Sequence, residues 1–408
     1  MNRNPAIKPI SHTPLEARLP VIKVIGLGGG GSNAVNRMIE LGLTGVEFIA
    51  ANTDAQALKN SLAPTRIHLG PWVTRGLGAG GNPSVGEAAA EESYKLLIQA
   101  LSGADMVFLT AGMGGGTGTG SVPIVARVAR SLGALTVAIV TLPFSFEMGR
   151  RQKNAREGLA KLTPHVDTLI TVPNDRLLQI AQRDLPLDLA FRMADDVLRQ
   201  GVQGISELIT QPGLINVDFA HIKQLMQHGG GSFLSIGIGE GENKALKAID
   251  KALNHPLLES IPLENATGII ANFTGGSDLT FIEVAEALET LQSRTNYQAN
   301  IIPGVMSNNN LQNRVEVILV ITGLAATPVE HSPRPVETAQ PVPVARETIA
   351  AVPMPKYEPA QTTSTALPVN YTRPLPVEKP EVRELSPVEM SININDLDVP
   401  AFMRRRSR

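Results

Sequence analysis

The sequence predicts an α/β protein in which parallel strands alternate with helices. From Val21 onward, five short apolar runs are typical of buried strands: VIKVIGL, VEFIAAN, DMVFLTA, LTVAIVT and DTLITVP. Helical patterns separate most of these runs, and such alternation indicates a parallel sheet covered by helices on both faces. The chain has 408 residues, 43% of them hydrophobic, which is enough for two domains with their own cores.

Helix signals are clearest at two places in the first half of the chain. Asn82 and Pro83 are typical of an N-cap and a first-turn proline, and they predict a helix over NPSVGEAAAEESYKLLIQAL that Gly103 ends. A longer helical pattern over residues 175–210 is broken only by Pro186. It predicts a long central helix within residues 186–213.

A second α/β unit is predicted over residues 214–325. The strand-like runs GSFLSIGIG, TGIIANF, ANIIPGV and RVEVILVITG alternate there with helical patterns near residues 220–227, 243–253 and 279–291. The pattern ends near Gly323, the last glycine of the chain.

The two ends of the chain have a different composition. Residues 1–20 are predicted to be a flexible extension, and the proline-rich residues 326–391 a disordered linker. Apolar side chains return in SININDLDVPAFMRRRSR, residues 392–408, which predicts a short motif that orders on a partner. Its expected groove anchors are Leu397, Val399, Pro400, Phe402 and Met403.

Composition argues against several classes of function. The net charge of −2 gives no reason to expect a nucleic-acid partner. The absence of cysteine excludes disulfides and thiolate chemistry, and it fits a reducing cytoplasm. The seven histidines show no metal spacing, so no protein metal site is predicted. No apolar run reaches the ~18 residues of a membrane helix, so membrane contact is expected only through a partner.

Two glycine-rich loops each follow a predicted strand and open a helix. They are GLGGGGSNAVNRM from Gly26 and GMGGGTGTGSVPIVARV from Gly112. Bare backbone lets successive N–H groups point at a phosphate, and a helix N-terminus adds a partial positive charge. Thr117 and Thr119 add hydroxyl donors. Both loops predict a polyphosphate cradle, although tight packing of strand against helix also favours glycine.

A nicotinamide-binding fold is the competing interpretation. Gly26, Gly28 and Gly31 satisfy G-x-G-x-x-G after a strand, and Asp54 ends the next strand where an acidic residue would hold a ribose. A P-loop is excluded because the chain contains no Gly-Lys pair.

The run AGMGGGTGTG, Ala111–Gly120, resembles the signature of the tubulin/FtsZ superfamily. Further stretches resemble the FtsZ family within it: VIKVIGLGGGGSNAVNRM, AANTDAQAL, GLGAGGNPSVGEAAAEES, VTLPFSFE, VPNDRLL, DDVLRQGVQGISELIT and PGLINVDFA, with LDVPAFMRRR near the C-terminus. The resemblance implies a Rossmann-like GTP-binding domain over residues 21–185, the central helix, a C-terminal activation domain over residues 214–325, and the tail.

The function implied by this resemblance is that of a self-assembling GTPase. Such a protein binds GTP or GDP with Mg²⁺, polymerises head to tail and forms the cytokinetic ring at midcell in the cytoplasm. A membrane-tethering adaptor would bind its C-terminal peptide.

The resemblance also implies sixteen nucleotide-binding residues. They are Gly29, Gly30, Gly31, Ser32, Asn33, Ala79, Gly80, Gly81, Gly116, Thr117, Gly118, Glu147, Arg151, Asn174, Phe191 and Asp195. Asn174 and Asp195 would read the polar edge of guanine, on whose face Phe191 would stack. Taken without the resemblance, Glu147 and Arg151 suggest an i,i+4 ion pair, Phe191 a core residue and Asp195 a solvated helix face.

The resemblance further implies that catalysis uses a loop that one subunit presents to the GTP of the next. Here that loop is GLINVDFAH, with Asp218 and His221 as its catalytic candidates, although Asp218 alone would suggest a helix N-cap. The family usually has aspartate where His221 stands, and glycine where Met148 stands. Because imidazole carries no fixed negative charge at neutral pH, weak or absent hydrolysis is the alternative hypothesis.

Overall fold

The computed structural model describes residues 19–324, except 148, 180–184, 212, 216, 228–230 and 256–262. The chain divides into two compact units, Met1–Ser332 and Pro333–Arg408, and every described residue belongs to the first. The predicted extension, linker and C-terminal motif, with its anchors Leu397, Val399, Pro400, Phe402 and Met403, lie outside the described residues.

In the described part of the chain, ten strands form one sheet in the order β3-β2-β1-β4-β5-β6-β7-β10-β8-β9. The strands are β1 (Ile22–Leu27), β2 (Glu47–Asn52), β3 (Thr65–His68), β4 (Met106–Gly112), β5 (Leu135–Leu142), β6 (Thr168–Pro173), β7 (Gly231–Glu240), β8 (Gly268–Gly275), β9 (Asn300–Ser307) and β10 (Arg314–Leu324). The first six are parallel, and five of them, all but β3, were predicted as strands of a parallel sheet. Only β10 runs antiparallel to its neighbours, β7 and β8.

Helices separate most of these strands. They are α1 (Gly28–Glu40), α2 (Ala55–Lys59), α3 (Pro71–Thr74), α4 (Pro83–Glu92), α5 (Tyr94–Leu101), α6 (Thr117–Ser131), α7 (Arg150–Leu162), α8 (Asn174–Leu177), α9 (Leu187–Thr210), α10 (Phe219–Gln227), α11 (Lys244–Leu253) and α12 (Phe281–Arg294). None of those in the described ranges combines the length and apolar character that crossing a bilayer requires.

Both faces of the parallel sheet are buried, as the apolar strand sequences predict. In β4, Met106 and Phe108 join the core under α1 and α9, whereas Val107 and Leu109 join the core under α4–α6. A third core lies between α11, α12 and strands β8 and β10. The α/β class predicted from strand alternation is therefore confirmed.

The central helix α9 connects the two halves of the sheet. Its 24 residues extend about 36 Å, and its buried face shares one core with β5, β6, β7 and β8. Gly201 allows close packing, because a Cβ there would lie 3.0 Å from Leu234 Cδ2 and 3.2 Å from Ile139 Cδ1. The helix thus packs against β5 of the first half and β7 of the second.

One helix prediction was wrong in detail. The helix expected over residues 83–101 is interrupted at Ser93, whose hydroxyl accepts the Gly70 N–H at 2.9 Å. This tertiary hydrogen bond overrides the local helical pattern. Of the pattern expected from Asp175 to Pro186, the described residues 174–179 contain the short α8, and α9 begins directly after extended Pro186. The segment of β3, α2 and α3 was not predicted, because its elements are too short to show periodicity.

A buried lysine joins the two helices of the third core. Lys244 Nζ, at the start of α11, lies 3.1 Å from both carboxylate oxygens of Glu283 and 2.9 Å from the carbonyl oxygen of Asp278. Glu283 also accepts the Thr280 N–H at 3.0 Å in the capping box of α12. One ammonium group therefore fixes the starts of both helices.

We expect Lys244→Ala to lower the free energy of unfolding by about 2–4 kcal/mol, because it leaves the nearly buried Glu283 carboxylate without its cation. Urea unfolding monitored by circular dichroism measures the change. Lys247→Ala is the matched control on the same helix, since its ammonium is exposed and bonds the Glu240 carbonyl, and its effect should stay within about 0.5 kcal/mol. Equal effects of the two variants would contradict this account of Lys244.

Candidate functional site

The two glycine loops meet at the centre of the sheet. Strands β1 and β4 are parallel neighbours, with Leu27 paired to Ala111 at their carboxyl ends. The chain leaves β1 toward β2 on one side and leaves β4 toward β5 on the other. This is a topological switch point, where open parallel sheets bind ligands.

Glycine is required where the two loops touch. A Cβ on Gly28, whose φ is +69°, would lie 2.8 Å from the Gly118 nitrogen. A Cβ on Gly30 would lie 3.3 Å from the Gly112 Cα. Gly29 and Gly115, by contrast, have no atom within 4 Å of the Cβ position. The loops thus pack backbone against backbone while part of each faces open space.

Other glycines in the first loop are required by tight packing. A Cβ on Gly31 would overlap the Thr110 carbonyl oxygen, and one on Gly26 would overlap the Gly31 carbonyl oxygen. The packing explanation that the sequence offered therefore applies at these two glycines.

A cavity of about 460 Å³ opens above the loops. The structure brings the following predicted nucleotide-binding residues together at its wall: Gly29, Gly30, Asn33, Gly116, Thr117, Gly118, Glu147, Arg151, Asn174, Phe191 and Asp195. They come from several separate parts of the chain. Leu27, Gly112, Met113, Gly115, Thr141, Pro143 and Ala194 complete the wall.

Five predicted residues lie behind or beside this wall. Gly31 and Ser32 are buried in the first turn of α1, and Ser32 Oγ makes no hydrogen bond within the described part of the chain. The loop of Ala79, Gly80 and Gly81 abuts the second glycine loop, since a Cβ on Gly116 would lie 2.8 Å from Ala79 Cβ.

Asn154 ties that loop to the cavity, and sequence reasoning missed it. Its Nδ2 donates to the carbonyl oxygens of Gly81 and Gly114, at 3.2 Å each. Asn154 lies on α7 and is almost fully buried. The one sequence signal was an asparagine within the charged run RRQKNARE.

The glycine-loop end of the cavity favours an anion. Helices α1 and α6 both begin at this wall, and Arg151 adds a full positive charge. Thr117 Oγ1 lies 2.6 Å from Thr53 Oγ1, and Thr119 Oγ1 accepts the Gly114 N–H at 2.8 Å. The two threonines therefore brace the loop.

Glu147 and Arg151 form the i,i+4 ion pair that their spacing suggests. Glu147 also accepts the Phe144 N–H at 2.9 Å, which holds the turn before α7. Both side chains nevertheless line the cavity. Met148, which stands between them where the family usually has glycine, lies outside the described residues.

The opposite end of the cavity has a partly exposed aromatic ring, a buried asparagine and a half-buried aspartate. Phe191 is 40% exposed, and its ring packs edge-on against Phe144 with centroids 5.4 Å apart. Asn174 Oδ1 is buried and makes no hydrogen bond within the described ranges. Burial raises the pKa of Asp195 to about 7, an effect that the charge of Arg37 opposes. The plain interpretations of Phe191 as core and Asp195 as a solvated face were wrong.

Asp54 does not support the nicotinamide hypothesis. Its carboxylate caps α2 by accepting the Gln56 and Ala57 N–H groups at 2.8 and 3.1 Å. Asp54 is not among the residues that line the cavity.

Asp218 and His221 lie at a separate cavity of about 450 Å³, beside Gly268 of β8 and Asn300 of β9. Asp218 Oδ1 accepts the Ala220 N–H at 3.1 Å, so the plainer N-cap role is realised. Neither residue lines the glycine-loop cavity of the same chain.

Across the described ranges, no group of three or more acidic or histidine side chains is arranged to hold a metal ion.

We expect Asp195→Asn to stabilise the nucleotide-free protein by about 2–4 kcal/mol at pH 8 and by almost nothing at pH 4. With its pKa raised to about 7, the folded carboxyl binds more protons than the unfolded one between pH 4 and 7. The free energy of unfolding therefore falls progressively as pH rises through this window, because the folded carboxyl has to lose its proton. Urea unfolding at pH 4, 6 and 8 tests this, and an equal effect at every pH would contradict it.

Comparisons with known proteins agree on a family. A model of the tubulin/FtsZ family GTPase domain matches residues 21–182, and one of the FtsZ family C-terminal domain matches residues 230–325. An empty FtsZ dimer from M. jannaschii is 48% identical, with a TM-score of 0.72 over 76% of this chain and 90% of that chain. A mutant form of M. jannaschii FtsZ is also 48% identical, with a TM-score of 0.72 over 75% of this chain and 92% of that chain.

More distant structures share the fold. CetZ2 from Haloferax volcanii, in a GTPγS-bound protofilament, is 18% identical and has a TM-score of 0.64 over 76% of this chain and 94% of that chain. Two domain models match this chain, and the chain is 48% identical to the FtsZ structure over nine-tenths of that structure. The chain therefore belongs to the tubulin/FtsZ family, and its first half is a guanine-nucleotide-binding GTPase domain.

Proposed function

We propose that the protein is a cytoskeletal GTPase that assembles head to tail and hydrolyses GTP at the junction between two copies. One observation carries the proposal. The glycine-loop cavity and the Asp218–His221 pair occupy different places in one chain. A reaction centre that needs both is complete only when a second copy presents its Asp218 loop to the cavity.

The glycine loops are proposed to hold the phosphates. Gly29 and Gly115 leave open space beside bare backbone, and two helix N-termini converge on it. Arg151 would neutralise phosphate charge, because guanidinium groups pair well with phosphate oxygens. Glu147 keeps Arg151 in place and would contact the ribose side.

The other end of the cavity is proposed to select guanine. An ionised Asp195 can accept the N1 and N2 protons of guanine, a donor pair that adenine lacks. Asn174 Oδ1 has hydrogen-bonding capacity that nothing in the described structure satisfies. Phe191 offers its exposed ring for stacking on the base. The side chains present therefore fit a guanine nucleotide.

Mg²⁺ is proposed to enter with the nucleotide. Because no described cluster of carboxylates could hold the ion, phosphate oxygens would be its main ligands. When bound, the ion would neutralise charge on the phosphates.

Hydrolysis needs a positioned water and little covalent chemistry from the protein. Asp218, brought by the next copy, is proposed to orient that water, and Ala79–Gly81 to sense the terminal phosphate. His221 can hydrogen-bond water but supplies no fixed negative charge at neutral pH.

The cellular role is proposed from the family. The filaments would form the cytokinetic ring in the cytoplasm at midcell. Residues 392–408 would bind a membrane-tethering adaptor, with Leu397, Val399, Pro400, Phe402 and Met403 as anchors. Nucleic-acid binding and direct membrane insertion are not expected.

Sedimentation with GTP, with GDP and without nucleotide, with released phosphate measured in the same tubes, tests the proposal. We expect pelleting with GTP and turnover per chain that rises steeply above a critical concentration. Asp218→Asn should lower turnover on the order of a hundredfold with GTP affinity unchanged, because asparagine keeps the helix cap. Equal turnover in dilute monomers and in polymer would contradict a shared site.

A filament protein with weak or no hydrolysis is the second candidate, and His221 is the residue that favours it. We expect His221→Asp to raise GTP turnover several-fold at fixed polymer mass, because it restores a carboxylate beside the attacking water. His221→Asn is the matched control, since it is polar but uncharged. An unchanged rate in His221→Asp would refute the effect assigned to this residue.

A further inference from the structure

Asn154 is a buried polar side chain to which the proposed reaction assigns no role. It lies in the first half of α7 and is 8% exposed. Its Nδ2 donates to the carbonyl oxygens of Gly81 and Gly114, at 3.2 Å each. A primary amide has two N–H protons, so the two carbonyl groups can take one proton each. One side chain thus bonds two loops that lie far apart in the sequence.

The loop around Gly114 is firmly held. The Gly114 N–H donates to Thr119 Oγ1 at 2.8 Å, so both backbone polar groups of this residue bond side chains. Its φ is +99°, and a Cβ there would lie 2.9 Å from the Arg151 carbonyl oxygen. The loop therefore packs against the same part of α7 that carries Arg151 and Asn154, and this end of the asparagine contact is rigid.

The loop around Gly81 is an exposed turn with little packing at its tip. The Asn82 N–H donates to the Ala79 carbonyl oxygen at 3.0 Å, which closes four residues into a turn. Its central residues, Gly80 and Gly81, have φ of +57° and +70°, and both Cβ positions face open space. Glycine has the largest backbone freedom of any residue. The hydrogen bond from Asn154 restrains this tip from a separate helix.

The base of the turn touches the wall of the glycine-loop cavity. A Cβ on Gly116 would lie 2.8 Å from both the Ala79 Cβ and the Asn82 nitrogen. Gly116 lines the cavity, whereas Gly80 and Gly81 are not among its lining residues. Under the proposed function, the terminal phosphate of GTP extends to this turn, and the shorter GDP does not reach it.

We propose that Asn154 is a positioning residue that joins the Gly114 loop to the Ala79–Gly81 turn and thereby sets the affinity for GTP relative to GDP. This inference rests on the proposed function, in which the turn senses the terminal phosphate. With the amide in place, the turn is already ordered when a triphosphate arrives. Without it, GTP has to order two glycines itself, and this entropic cost lowers its affinity. The affinity for GDP is unaffected, because GDP does not reach the turn.

Titration of GTP and of GDP onto nucleotide-stripped protein, diluted below its assembly threshold, measures the two affinities. We expect Asn154→Ala to lower the affinity for GTP relative to GDP about tenfold, because the turn is no longer ordered in advance. Asn154→Leu keeps the size of the side chain, removes the donor and should have the same effect. Gln152→Ala is the matched control, since it removes a half-buried amide from the same helix that bonds neither loop. Its relative affinity should equal that of the wild type.

A merely structural asparagine gives a different result. Its loss would weaken the binding of both nucleotides alike, and a parallel fall of the two affinities in the Asn154 variants would overturn the proposal. If wild-type protein binds guanine nucleotide and assembles with GTP while both variants keep its relative affinity, the positioning role is refuted and the proposed function stands. If wild-type protein binds no guanine nucleotide, the proposed function is refuted, and the positioning role with it.

Discussion

The close approach of two backbone loops between β1 and β4 is the constraint on which the rest of the structure depends. Gly28 touches Gly118, and Gly30 lies against Gly112, at distances that leave no room for side chains. This contact brings the starts of α1 and α6 to one place, so their partial charges add. Asn154 extends the contact to a third loop through Gly81 and Gly114. The glycine-loop end of the cavity is therefore built mainly from backbone.

The sequence predicted this arrangement well where long patterns carried the signal. Strand alternation predicted the parallel sheet, and most of the residues that resembled a known family were brought to one wall from separate segments. Predictions failed where tertiary contacts decide local structure. Ser93 breaks a helix because its hydroxyl serves Gly70. Gly31 and Gly29 are alike in sequence, yet only packing shows that one is structural and the other faces the cavity.

Several residues for which the sequence offered a structural and a functional interpretation make the structural contact and also line a cavity. Glu147 and Arg151 pair as helix neighbours and line the cavity. Asp218 caps α10 and remains at the mouth of a second cavity. A structural use of a side chain therefore does not exclude a functional one, because a cap or an ion pair fixes the geometry that chemistry needs. The position of Asp195 at the cavity has an energetic cost, because desolvation makes its charged form unfavourable in the free protein.

The loop that pairs with Val305 has a consequence for how molecules of this protein can meet. Strand β9 ends the sheet, and an open edge strand is a template for pairing with a strand of another molecule. Leu214 and Ile215 occupy hydrogen-bonding groups of Val305, and Pro303 has no N–H to offer. Pairing with a strand of another molecule, the route to amyloid-like aggregates, is thus hindered at these two positions of the edge. The segment that leads to Asp218 therefore also protects the margin of the sheet.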